Sequence, residues 1–123
     1  MKKLHKDRLL KLAQHLESGK LGHRIFDMRH WNEGPYDKKG CGTAGCAIGE
    51  CPLVFPKEWI FKKGQTGYYY YYPRLREGFS TTESIRKFFG FKNDEECALF
   101  VWTHQYTARQ QAKRIRDFVK RKK

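Results

Sequence analysis

The chain has 123 residues, a single-domain length, and carries 26 Lys and Arg against 13 Asp and Glu for a net charge of +13. It holds no apolar run of the ~18 residues that a membrane-spanning helix needs, and its first residues, Met1-Lys2-Lys3-Leu4-His5-Lys6-Asp7-Arg8, are too polar for the core of a signal peptide. The expectation is a cytoplasmic protein with no membrane partner, its four cysteines reduced, and a core of aromatic side chains that needs neither disulfide nor metal.

Residues 4–18 predict the first helix, because Leu9, Leu12, Ala13 and Leu16 fall on one stripe and Gly19 suits the left-handed position that ends it. Ile25, Phe26, Met28 and Trp31 read as buried positions of a short extended or single-turn segment, followed by a turn at Asn32-Glu33-Gly34-Pro35. Small residues and thiols crowd into Gly40-Cys41-Gly42-Thr43-Ala44-Gly45-Cys46-Ala47-Ile48-Gly49-Glu50-Cys51. Thr43 is placed to cap a short helix over residues 44–49, which Pro52 should stop, and Pro56 opens a further turn. Trp59-Ile60-Phe61 and Tyr68-Tyr69-Tyr70-Tyr71-Tyr72 predict the strands of a hairpin, with 62–67 as its loop and Pro73 as the end of the second strand.

Three capping signatures punctuate the last third: Ser80-x-x-Glu83, Asn93-x-x-Glu96 and Thr107-x-x-Gln110. They predict helices near 81–89, 94–104 and 108–120, with Gly90 ending the first. The last has an apolar stripe of Ala108, Ala112, Ile115 and Val119, flanked by Arg109, Lys113, Arg114, Arg116 and Lys120. The fold class that follows is α+β, mostly helical: one small domain over residues 1–123, with four or five helices and one β-hairpin.

Residues 1–11 carry a net charge of +4 and residues 109–123 carry +7, leaving only +2 for everything between. An anionic partner, nucleic acid or an acidic protein surface, would therefore be drawn to the terminal segments. Tyr68, Tyr70 and Tyr72 would share one face of a strand, near Lys62, Lys63, Arg74 and Arg76, where exposed rings stack on bases. The same rings would equally suit a protein interface. The expected function is that of a small basic binding protein without enzymatic activity and without a cofactor. The contact residues would be Arg109, Lys113, Arg114, Arg116, Lys120, Tyr68, Tyr70, Tyr72 and Arg74. The oligomeric state is open.

The cysteine-rich stretch supplies the alternatives. Cys46, at the start of a small-residue helix, would be the nucleophile of a hydrolase or transferase if helix N–H groups lowered its pKa and His104 served as base. Cys41 stands second as nucleophile, and the other histidines are 5, 15, 23 and 30. The faint likeness to the papain-type Cys-Gly-Ser-Cys-Trp signature lacks the Trp and an identifiable orienting residue. A zinc-stabilised interaction module would use Cys41, Cys46 and Cys51, with His23 or His30 as a fourth ligand. A helix would set Cys46 and Cys51 about 140° apart, which is poor for chelation. Gly40-x4-Gly45 has Walker-like spacing, but Cys46-Ala47 replaces the Lys-Ser/Thr pair, so a nucleotide-binding loop is excluded.

Phe26-Asp27-Met28-x-x-Trp31, Cys41-Gly42-Thr43-Ala44-Gly45-Cys46-Ala47-Ile48-Gly49, Phe88-Phe89-Gly90-Phe91, Ala98-Leu99-Phe100 and the Thr107 to Phe118 helix form an ordered set. The set resembles a group of small uncharacterised bacterial and phage proteins. They share a CGTxxCxxG core, an FFG turn and a C-terminal amphipathic helix. The resemblance spans roughly residues 25–119 and implies an architecture and a phage or mobile-element origin, but no catalytic residue. The basic ends and the Tyr run depart from the shared pattern.

Overall fold

The computed structural model describes residues 1–22, 25–26, 44–63, 71–100 and 106–122. Within them the chain is a mostly helical α+β structure with five α-helices and one antiparallel hairpin. Helix α1 (Lys3–Ser18) buries Leu9, Leu12, Ala13 and Leu16 along one stripe, and Gly19 closes it at φ 76°, a conformation that costs a side-chain-bearing residue about 1 kcal/mol or more. Helix α5 (Ala108–Arg121) starts from a complete capping box. Thr107 Oγ1 accepts from the Gln110 amide, and Gln110 Oε1 accepts from the Thr107 amide. Its inward face is Gln111, Ala112, Ile115 and Phe118.

Helices α1 and α5 form the most extensive helix–helix contact among the described elements. Glu17, at the C-terminal end of α1, reaches Arg116. The N-terminal end of α1 lies where the His5 ring covers Gly90, next to Phe91, and Phe91 packs edge-on against Phe118. The last turn of α1 thus meets α5 at Arg116, so a segment from the start of the chain packs against the basic C-terminal helix.

The hairpin forms a second layer with helix α3 (Thr81–Phe89). Strand β3 (Trp59–Lys63) pairs with β4 (Tyr71–Leu75) in the register Trp59↔Leu75, Phe61↔Pro73 and Lys63↔Tyr71. Pro73 does not end the second strand, as its lack of an N–H suggests from sequence; it lies buried in the middle of β4. The Arg76 amide donates to the Glu58 carbonyl. In the alternation of an antiparallel pair this makes Phe61↔Pro73 a pair without ladder bonds, where the proline nitrogen faces away from β3 and no N–H is missed. That outer edge of β4 is closed by the first turns of α3. Thr81 Oγ1 donates to the Pro73 carbonyl at 2.7 Å, and Ser84 Oγ accepts the Leu75 amide at 2.9 Å. Trp59, Phe61, Pro73 and Leu75 point inward. The core runs through Phe55, Phe88, Phe89, Phe91, Phe100 and Phe118 in edge-to-face and tilted contacts.

The small-residue stretch departs from its expected helix. Ala44–Gly45 is strand β2, paired in parallel with β1 (Ile25–Phe26). A 3-10 turn covers Ile48–Glu50, and helix α2 is Cys51–Val54, with Pro52 inside its first turn. Two residues of ladder to a distant segment outcompete the local capping signal at Thr43, and Pro52 starts a helix where it was expected to stop one. Thr43 itself, with Met28, Trp31 and the 32–35 turn, lies outside the described residues. Helix α4 (Asp94–Cys97) is also shorter than expected and passes into a 3-10 turn, Ala98–Phe100; positions 101–105 lie outside the described residues. Among the described residues no helix is long and apolar enough to cross a membrane.

Candidate functional site

On α5, Arg109, Lys113, Arg116 and Lys120 are separated by 4, 3 and 4 residues, so they share one flank of the helix. That flank borders α1, because Arg116 holds Glu17 there. Nε donates to one carboxylate oxygen at 2.8 Å and Nη2 to the other at 2.6 Å. The guanidinium bonds, and after them the charges of Arg116 and Arg109, hold the Glu17 carboxyl below its ordinary range; the Arg116 pKa is raised in return. Lys113 pairs with Asp117 at 2.8 Å. Among the described residues Arg109, Lys120 and Arg121 make no ion pair within 4 Å, and all three are exposed. Lys2, Lys3 and Lys11 are exposed on α1 or its first turn; Lys3 contacts Asp7 at 3.6 Å.

Arg114 has a different role from its neighbours. It turns inward, donating to the Leu99 carbonyl at 3.2 Å and to Gln111 Oε1 at 2.7 Å, while its guanidinium lies 4.3 Å from the centre of the Tyr106 ring. Gln111 is fully buried and also donates to Leu99. Arg114 thus ties the end of the 3-10 turn to α5, and its charge is largely spent inside the fold. A cleft between α4 and the C-terminal half of α5 adjoins it, lined by Glu95, Glu96, Leu99, Asp117, Phe118 and Lys122 among others. Glu96 accepts from the Lys92 amide at 2.6 Å and meets Lys122 Nζ at 2.8 Å. Lys122, then the Lys92 amide, holds its carboxyl below the ordinary range. Three carboxylates offset three basic side chains around this cleft, so a polyanion gains nothing from entering it.

The hairpin places Ile60, Lys62, Tyr72 and Arg74 on its outward face, with Lys62 directly opposite Tyr72. Arg74 donates to the Leu75 carbonyl, and Arg76 forks onto the Pro56 carbonyl through Nε and Nη2. Tyr68 and Tyr70 lie outside the described residues. The hairpin packs on α2 and α3, whereas α5 packs on α1 and the 3-10 turn at residues 98–100. The basic stripe and the Tyr72 face therefore occupy separate parts of the surface.

Cys46 lies just before the 3-10 turn, 2% exposed. Backbone bonds to its sulfur from Gly49 and Ile48 favour the thiolate, as a helix start would, but desolvation outweighs them and pushes the thiol up to about 11. A nucleophile needs access and a lowered pKa, and Cys46 has neither. His104, its expected base, lies outside the described residues, as do Cys41, His23 and His30. Cys51 is also buried, and desolvation raises its thiol well above the ordinary range. Among the described residues no group of three His, Cys, Asp or Glu side chains is arranged to hold a metal ion.

Glu50 is the side chain that the sequence reading passed over. It is 1% exposed, and its Oε1 accepts both His15 Nε2 at 2.7 Å and the Gly22 amide at 2.6 Å. A lone carboxylate inside Ala47-Ile48-Gly49-Glu50-Cys51 was the available signal, because a buried charge requires partners. Glu17 was missed for the opposite reason, since it reads as an ordinary exposed helix residue. Comparison of the chain with protein-family models, curated proteins and solved structures finds no match.

Proposed function

We propose that this chain is a small basic protein that binds nucleic acid through the surface formed by α5 and the adjoining helix α1. The observation that supports the reading is the packing of α1 on α5, the most extensive helix–helix contact among the described elements. It sets the Arg109–Lys120 flank of α5 along a second helix that carries exposed lysines, and on that flank Arg109 and Lys120 have no ion pair among the described residues. Such charges are available to phosphates, and each phosphate neutralised releases counterions. The outward hairpin face, with Lys62, Tyr72 and Arg74, is a secondary contact for an unstacked base.

The test is fluorescence anisotropy of labelled duplex and single-stranded oligonucleotides between about 50 and 200 mM salt. Binding that weakens steeply with salt, and a slope made shallower by about 0.9 in each of Arg109→Gln and Lys120→Gln, is the expected result. No binding at low salt, or binding that ignores salt, removes the reading. Equal competition by polyglutamate would assign the surface to an acidic protein instead.

A further inference from the structure

Arg116 is the central cation of the Arg109–Lys120 stripe, yet its guanidinium is closed on a carboxylate of the neighbouring helix. Two parallel N–H···O bonds of 2.8 and 2.6 Å join it to Glu17. This fork is the geometry in which arginine binds carboxylate and phosphate alike. Both side chains remain about two-fifths exposed, at 40% and 39%, so solvent and ligands reach the pair. An exposed pair of this kind contributes little to stability, and opening it leaves the α1–α5 core of Leu9, Leu12, Leu16, Ala112 and Ile115 untouched.

The surroundings of the pair suit a chain of linked anions better than a single carboxylate. Arg109 acts on Glu17 from the same flank, and Lys113 and Lys120 complete a row running about 16 Å along α5. That length spans roughly five base-pair steps of a duplex. A phosphodiester chain would meet successive cations along the row, whereas Glu17 satisfies only one.

We propose that the α1–α5 seam is a phosphodiester-backbone site at whose centre Glu17 stands in for a phosphate. In the free protein Arg116 is held on Glu17; in the complex a backbone phosphate takes that place and Glu17 swings to solvent. This rests on the nucleic-acid reading above and adds to it a specific occupant, a specific atom pair and an internal competitor. Glu17 lowers the affinity for every anion but is displaced only by one that also engages Arg109 and Lys120.

The experiment compares the wild type with E17Q and E83Q, using a labelled duplex across the same salt range. Glu83 is an exposed carboxylate on α3, so E83Q removes the same charge away from the seam. The Arg116 Nε–H resonance is followed in parallel during duplex titration. The expected result is a severalfold tightening in E17Q that E83Q does not match. In the wild type, Arg116 Nε–H shifts on complex formation and the Glu17 carboxyl titration midpoint rises as the pair opens. Equal effects of E17Q and E83Q, or an unmoved Arg116 resonance in a formed complex, overturn the proposal while leaving nucleic-acid binding intact. Absence of duplex binding by both wild type and E17Q overturns the two together.

Discussion

His15 Nε2 donates to Glu50 Oε1 across 2.7 Å, joining the buried side of α1 to the 3-10 turn that follows the small-residue stretch. The same oxygen accepts the Gly22 amide, so one carboxylate fixes three segments at a point almost closed to water. A carboxyl group in such a place is tolerated because donors meet its oxygen.

Replacing Glu50 by Ala strands the His15 and Gly22 donors and leaves a void, and should lower stability by about 3 kcal/mol. Glu50→Gln keeps an oxygen of the same shape and should lose less than half as much. Urea unfolding checks both, with an unchanged m-value as the sign of an intact native state. Equal losses for the two variants would mean that charge, and not the acceptor geometry, is what the fold uses.

Cys46 and Cys51 should resist alkylation in the native protein near neutral pH, while the half-exposed Cys97 is modified first. Peptide mapping after brief iodoacetamide treatment distinguishes the sites. The pH dependence follows from the sign of the shift. The folded-state pKa of Cys46 is raised from the ordinary 9.0 to about 11, so its contribution to stability is complete below pH 9.0 and is lost as pH rises toward about 11. Cys51 is shifted in the same direction and steepens that loss. Rapid labelling of Cys46 in folded protein would contradict the burial on which this depends.

The edge of β4 depends on a serine hydroxyl. Ser84→Ala removes the acceptor of the Leu75 amide and should cost about 1–2 kcal/mol, or a fall in Tm of roughly 4–8 °C. Hydrogen exchange at the Leu75 amide should accelerate beyond what the global loss of stability explains. An unchanged exchange rate would show that another group takes over as acceptor.

Gly90 ends α3 at φ 68°, directly beneath the His5 ring. Gly90→Ala should lose about 1–2 kcal/mol to the left-handed backbone alone, and more because the added methyl group collides with the imidazole. The double variant Gly90→Ala/His5→Ala should recover the steric part in thermal melts. Burial, then Arg8, Lys2 and the N-terminal amine, lowers the His5 pKa below 6.5. Its contribution to stability is therefore present above pH 6.5 and is lost as pH falls below that value. An NMR titration midpoint at or above 6.5 would contradict this packing.

Much of this architecture was legible in the sequence because its signals are local. The α1 stripe, the Ser80 and Thr107 caps and the Gly19 and Gly90 stops each act within one or two helical turns, and the helices formed where they were expected. The outcomes that differed were set by partners distant in sequence. Ala44–Gly45 became a strand because residues 25–26 offered a ladder, and Pro73 stayed within β4 because the register put its missing N–H on the side facing away from β3. The same holds for the candidate surface. The sequence by itself determined that the positive charge lies at the two ends and that α5 carries a row of cations. Only the tertiary structure decided that α1 packs on α5, that Arg114 turns inward to Leu99 and that Arg116 is held by Glu17, 99 residues away. Helix periodicity is fixed by backbone geometry within a few residues, whereas the pairing of charges depends on which helices pack together, and that follows from burial of the whole apolar core.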